Sequence, residues 1–277
     1  MIYIKKKEEI RIIREGGRLL SAILFALIKE TKAGVSTGSL EDLANRLIEA
    51  AGGKPAFKDY PMGDGVFFPS SLCVSINNEV VHGSALPSRL IHSGDIVDLD
   101  IGMEWPATPE LRKDFSSPKN PHSKHGGYFT DMCATVGVGK VSHEAKKLMN
   151  VTQECLQAGI NQVKPGNKLN DIGRAVASVA KKHGYGVVRD LVGHGVGYFA
   201  HEAPDVCNFE IGEKSPENIT LKSGMVIAIE PMINAGDWRI KVAKNGYTIL
   251  TADNSLSAHF EHTVAVTEDG YEILTAV

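Results

Sequence analysis

The chain is written twice, and this duplication limits its architecture more than any other feature. SGDIVDLD at 93–100 returns as SGMVIAIE at 223–230, so an apolar strand-like run ends on Asp100 in one copy and on Glu230 in the other, 130 positions on. The same offset relates YFTDMCATVGVG (128–139) to AHFEHTVAVTEDG (258–270), and with them Asp131 to Glu261. A helix predicted over roughly 7–31 has its counterpart at roughly 142–163. KAGVSTGSLEDLANRL (32–47) is echoed by KPGNKLNDIGRAVASV (164–179), each a Lys-small-Gly turn entering a second helix, with Ser39 and Asn167 as the expected N-caps. The halves, about 1–139 and 140–277, each read helix, helix, then antiparallel-type strands. That order indicates an α+β fold, here one domain over 1–277. A pseudo-twofold axis between the halves would set equivalent strands side by side and bring Asp100, Asp131, Glu230 and Glu261 to one centre.

Four carboxylates in a largely apolar setting repel one another. Either their pKa values rise until most are neutral, or a highly charged cation sits among them. Glu230 makes the point sharply, since MVIAIEPMI is apolar on both sides of it. LVGHGVG (191–197) adds His194 between glycines, where backbone can approach a ligand closely. Four carboxylates and one imidazole form an oxygen-rich set that suits Mn, Fe(II) or Co better than a closed structural zinc site. Five protein ligands suffice for two divalent metal ions if two carboxylates bridge and water completes the shells, the layout of a hydrolytic two-metal centre. His82, in SINNEVVHG, and His201, in YFAHEAP, are candidates to stabilise charge or transfer protons at a scissile amide. His259, two positions before Glu261, should share its face and support the ligands from behind, whereas His262 alternates away. His92, His122, His125, His143 and His183 lie in polar or helical contexts and are expected at the surface.

Other classes are disfavoured. A net charge of −3 gives no electrostatic case for nucleic acid or an anionic membrane. LLSAILFALI (19–28) is too short to span a bilayer and lies too far in for a signal peptide; Leu20, Leu24 and Leu27 recur at helical spacing and mark a buried face. Cytoplasmic localisation is the default. The four cysteines are scattered without a C-x-x-C pair, which argues for buried free thiols, with Cys73 also placed to line a pocket. Although 31 positions separate the two acids in each half, residues 103–127 are rich in Pro, Ser, Lys and His and read as a loop insertion, whereas 231–257 shows strand alternation. PATP and PKNP within the insertion admit a polyproline recognition reading, but a mobile surface insertion is plainer. Because its ends adjoin the acid-bearing strands, the insertion is expected to border the entrance of the site.

INNEVVHG, GDIVDLDIG, FTDMCATV, LVGHGVG, AHEAP, GMVIAIEPMI and SLSAHFEHTV occur in this order over essentially the whole chain. Together they resemble the type I methionine aminopeptidases. The resemblance implies the pita-bread fold, with Asp100, Asp131, His194, Glu230 and Glu261 as ligands of a dinuclear metal centre and Asp131 and Glu261 bridging. It also implies removal of the initiator methionine before a small second residue. A hydroxide held between two cations would attack the peptide carbonyl, Glu230 would shuttle the proton, His201 would stabilise the oxyanion and His82 would contact the peptide nitrogen. The substrates implied are nascent polypeptide N-termini at the ribosome, met by a monomer. Phe57, Tyr60, Phe68, Cys73 and Tyr247 correspond to the methionine pocket, with departures: PMGDGV (61–66) is extra length, Phe57 replaces a small residue, and Tyr247 replaces a frequent Trp. Two alternatives are a proline-directed peptidase of the same fold, whose members usually carry an added N-terminal domain, and a non-catalytic binding protein, which would be expected to have lost ligands that are all present here.

Overall fold

Helix α1 (Lys7–Glu30) buries Ile12, Ile13, Leu20, Ile23, Leu24 and Leu27 on one stripe, the periodicity of an amphipathic helix seated on a sheet. The computed structural model describes residues 1–63 and 65–276, so Asp64 of PMGDGV lies outside the described residues. Glu9, in the first turn of α1, accepts the Lys6 N–H at 2.8 Å and so satisfies an otherwise free donor at the helix start. Helix α2 (Thr37–Ala50) follows. A short helix, α3 (Pro109–Asp114), lies within the first half, and α4 (His143–Ile160) and α5 (Leu169–His183) open the second. The helix pairs fall where the duplication predicts them. The caps differ: Ser36, not Ser39, accepts the Ser39 N–H at the start of α2, and Lys168, not Asn167, precedes α5. Helix α2 thus begins about one turn earlier than read from sequence and α5 one residue later, where Asp171 accepts the Lys168 N–H at 2.8 Å in place of a side-chain cap from Asn167.

In the first half, Ile96–Trp105 is buried along its whole length and pairs antiparallel with Leu72–Ile76 and with Tyr128–Gly137. In the second half, Val226–Ile229 lies between Gly193–Gly195 and His262–Val266, again antiparallel. The halves meet where Ala134 bridges Phe260. Beside that bridge the Glu261 N–H donates to Cys133 O at 3.2 Å, and Thr263 exchanges hydrogen bonds of 3.0 and 2.8 Å with the Asp131 backbone. The equivalent strands therefore form the seam, and the second of them breaks between Ser257–His259 and His262–Val266, where Glu261 sits. Residues 231–257 carry the expected short strands, among them Met232–Asn234, Ile240–Val242 and Ile249–Thr251.

The segment 103–127 corrects the loop expectation. Its first three residues extend the Ile96–Trp105 strand, and α3 follows with Thr108 as N-cap, its hydroxyl accepting the Leu111 N–H at 3.3 Å. Pro106 is buried and Pro109 opens the helix, so PATP is a strand-to-helix junction and not an exposed polyproline motif. Asn120 is fully buried; its amide donates to Gly127 O at 2.7 Å and to Tyr198 O at 2.9 Å, tying the insertion to the second half. Among the described residues no helix is long and apolar enough to cross a membrane.

Candidate metal centre

Strand geometry delivers the acids to the seam. Asp100 projects from the middle of Ile96–Trp105 and Asp131 from Tyr128–Gly137. Glu230 follows Val226–Ile229, and Glu261 occupies the break noted above. His194 is the central residue of Gly193–Gly195. Its flanking glycines are required by close approach: a Cβ at Gly193 would lie 2.4 Å from Ala228 O, and one at Gly195 would lie 2.4 Å from Ala203 O. Any larger residue there would push the neighbouring strands apart and carry the imidazole away from the acids.

Donor atoms of Asp100, Asp131 and Glu261 lie within 4.8 Å of one another, and so do those of His194, Glu230 and Glu261, and of Asp131, His194 and His201. Glu261 joins the first two groups and Asp131 the first and third, so these two carboxylates stand between the others. Asp100 Oδ1 and Glu261 Oε1 are buried without a hydrogen-bond partner among the described residues. Burial, reinforced by Asp98 and Glu230 against the opposing pull of His259, pushes the Asp100 carboxyl up to about 7. Burial and the neighbouring acids hold Asp131 and Glu261 well above the usual carboxylate range. A protein that gathers hard oxygen donors at this desolvation cost fits a divalent cation. The His194 Nδ1–H donates to Gly195 O at 2.9 Å, which leaves Nε2 as the lone-pair nitrogen facing Glu230 Oε1 at 3.3 Å, the tautomer a metal ligand needs.

The three predicted histidines His82, His201 and His259 converge on the same cavity of about 210 Å³, whose lining includes all five candidate ligands. His201 stands at the mouth with its ring 4.3 Å from that of His194. Crowding by the surrounding protein, then His194 and His82, lowers its pKa although its outer edge is exposed to solvent. Burial lowers His82 as well, and that residue adopts φ 58°, a left-handed conformation that costs a non-glycine residue energy and is held by the fold around it. The apolar end of the cavity is formed by Phe57, Tyr60, Met62, Phe68 and Cys73. Tyr247, expected in this pocket, is not among its lining residues; it braces Phe68 edge-on at 5.5 Å.

His259 reaches a different acid from the one sequence alternation suggested. Its Nε2 lies 3.5 Å from Glu230 Oε2 and its Nδ1 lies 3.5 Å from Asp98 Oδ2. Burial disfavours its protonation, but Asp98 and Glu230 outweigh that and raise its pKa well above the ordinary value. Asp98 is the residue that sequence reading missed. Its signal was present in the alternation of VDLD, which puts Asp98 on the same strand face as Asp100. Of the remaining histidines, His92, His122, His143 and His183 are exposed as expected and His125 is half-buried, while His262 turns away to Thr275 Oγ1 at 2.9 Å.

The profile of metallopeptidase family M24 matches residues 11–108 and 122–268. The chain belongs to that family. The M24 profile leaves out 109–121, the part of the insertion that contains α3. Over its full length this M24 peptidase is 40% identical to methionine aminopeptidase 1 of Bacillus subtilis, with both chains completely covered. The crystal structure of methionine aminopeptidase from Thermotoga maritima superposes on all of it with a TM-score of 0.87 at 35% identity. Its fold is therefore the α+β pita-bread fold. A prolidase from Pyrococcus horikoshii shares that fold at a TM-score of 0.71, but at 21% identity and with only 63% of its own length covered.

Proposed function

We propose that this M24 peptidase removes N-terminal methionine from polypeptides whose second residue is small, with two divalent ions at the seam. One observation carries the reading: five ligand-type side chains from both halves meet in a cavity whose other end is apolar. Asp100, Asp131, His194, Glu230 and Glu261 would hold the ions, with Asp131 and Glu261 shared between them. Bound there, divalent ions supply Lewis acidity, lowering the pKa of water and polarising the scissile carbonyl. The full-length likeness to methionine aminopeptidase 1 of Bacillus subtilis supports the substrate.

The chain's own groups do the rest. Phe57, Met62, Phe68 and Cys73 receive the methionine side chain; burial pushes the Cys73 thiol up, so it contributes a neutral, soft surface. Glu230 presents its two oxygens to different histidines, and it accepts the proton of the attacking water and returns one to the leaving amine. His201, neutral because of its surroundings, donates an N–H to the oxygen on which negative charge develops. His82 contacts the nitrogen of the scissile peptide. Co, Mn and Fe(II) all suit this donor set. Nascent chains at the ribosome, in the cytoplasm, are the proposed source of substrate. The protein is proposed to act as a monomer without nucleic-acid or membrane contact, in keeping with its net charge of −3.

The test is to strip the protein with a chelator, restore single metals, and compare Met-Ala-Ser with Ala-Pro-containing peptides. Metal-dependent cleavage of the methionyl peptide alone is the expected result. Cleavage only before proline would replace this reading with a proline-directed one.

A further inference from the structure

We propose that the cleft beside the catalytic cavity is a second subsite, which takes the substrate chain beyond its second residue and favours acidic side chains there. The inference rests on the aminopeptidase reading above. The two spaces share Tyr60 and His201, whose rings meet edge-on at 4.9 Å. A peptide held with its scissile carbonyl beside His201 has its downstream chain at this threshold, and the neighbouring cleft of about 380 Å³ opens directly from it. An extended peptide advances about 3.3 Å per residue, so the third and fourth residues of a substrate reach about 7 Å beyond the second, into this neighbouring space.

His122, Ser123, Lys124 and His125, all from the insertion, line one wall of the cleft, and Lys54 also lines it. Lys54 and Lys124 line the cleft, are exposed, and make no ion pair among the described residues. The acid in this lining, Glu104, is buried and already engaged, since its Oε1 accepts from the Ser123 hydroxyl and from the Gly127 N–H. Two exposed ammonium groups against one buried carboxylate leave the accessible face of the cleft net positive. The wall is also fixed in place. Asn120 Oδ1 accepts the His122 N–H at 3.0 Å, and the His122 ring packs 5.3 Å from Tyr198 and 5.1 Å from Phe199. Tyr198 and Phe199 lead straight into His201, so the insertion is docked on the segment that carries a substrate-contacting histidine. Such preorganisation lowers the ordering cost of binding an extended chain.

The experiment compares kcat/KM of the metal-loaded enzyme for Met-Ala-Ser, Met-Ala-Glu-Glu-Gly-Ser and Met-Ala-Lys-Lys-Gly-Ser, in the wild type and in a Lys54→Ala/Lys124→Ala double variant. The wild type should prefer the acidic hexapeptide over the basic one by on the order of five-fold, as two exposed charge contacts allow. The preference should shrink at ~1 M salt, where the screening length falls to about 3 Å, and should largely vanish in the double variant. Equal rates on the two hexapeptides, a preference for lysine, or an acidic preference that survives in the double variant would each overturn the proposal. Failure to cleave Met-Ala-Ser would instead remove the aminopeptidase reading, and the subsite with it, so the two failures are distinguishable.

Discussion

At the scale of single residues, Glu230 sits between two imidazoles: His194 Nε2 faces one carboxylate oxygen at 3.3 Å and His259 Nε2 faces the other at 3.5 Å. One oxygen can thus turn toward a metal while the other handles a proton. Replacing Glu230 with Gln keeps the shape and removes the basicity, and kcat on Met-Ala-Ser should fall by about 10²- to 10⁴-fold. Asp98 acts one step further back, through His259. Asp98→Asn should cost less, about 10- to 100-fold in metal affinity or kcat, measured by calorimetric metal titration beside steady-state rates. A variant with wild-type values in both would show that the Asp98–His259 contact is only packing. The four seam acids were legible in sequence because the duplication singled them out from other strand-end carboxylates. Asp98 was not, because the second copy has Ala228 at the equivalent position and the repeat gives no echo.

At the scale of elements, α1 shows a local preference overruled by packing. Gly16 and Gly17 lie mid-helix, where each costs about 1 kcal/mol relative to alanine. A Cβ at Gly17 would come within 2.3 Å of Leu274 O, so the helix is pressed against the C-terminal segment there. Gly17→Ala should therefore destabilise the protein by about 1–3 kcal/mol despite its better helix propensity, read as a lower denaturant midpoint. A rise in the midpoint would mean that this contact relaxes freely. The insertion teaches the same lesson in reverse. Its Pro- and Ser-rich composition reads as loop, yet Asn120 and Trp105 are buried and Trp105 packs edge-on with Phe115 at 4.8 Å. Local composition reports what a segment would do in isolation; here long-range partners supplied the contacts that ordered it.

At the scale of the whole molecule, the fold places buried acids where protons and metal ions compete. In the metal-free protein the Asp100 pKa is raised from 3.8 to about 7. A raised carboxyl stabilises the fold fully below its unfolded value, and that contribution is lost as pH rises through the folded value. Asp131 and Glu261 shift in the same direction. These acids must shed their protons to take up a divalent ion, so the rise in Tm of the chelated protein on adding manganese should grow between about pH 4 and pH 7. Scanning calorimetry of both forms at several pH values would check this, and a metal-induced rise that shrinks with increasing pH would contradict it.

The sequence by itself determined the two-fold plan, the helix-then-strand order of each half, and the five residues that meet at the seam. The plan and the four acids follow from hydrophobic periodicity and from a repeat, and His194 from its flanking glycines, all of them local or pairwise signals in the chain. Only the tertiary structure decided that His259 serves Glu230 and Asp98, that Tyr247 stands behind Phe68, and that the insertion docks beside His201. Those facts depend on which side chains fill the space left when distant segments are packed together, and close packing is a property of the assembled three-dimensional fold that no short stretch of sequence encodes.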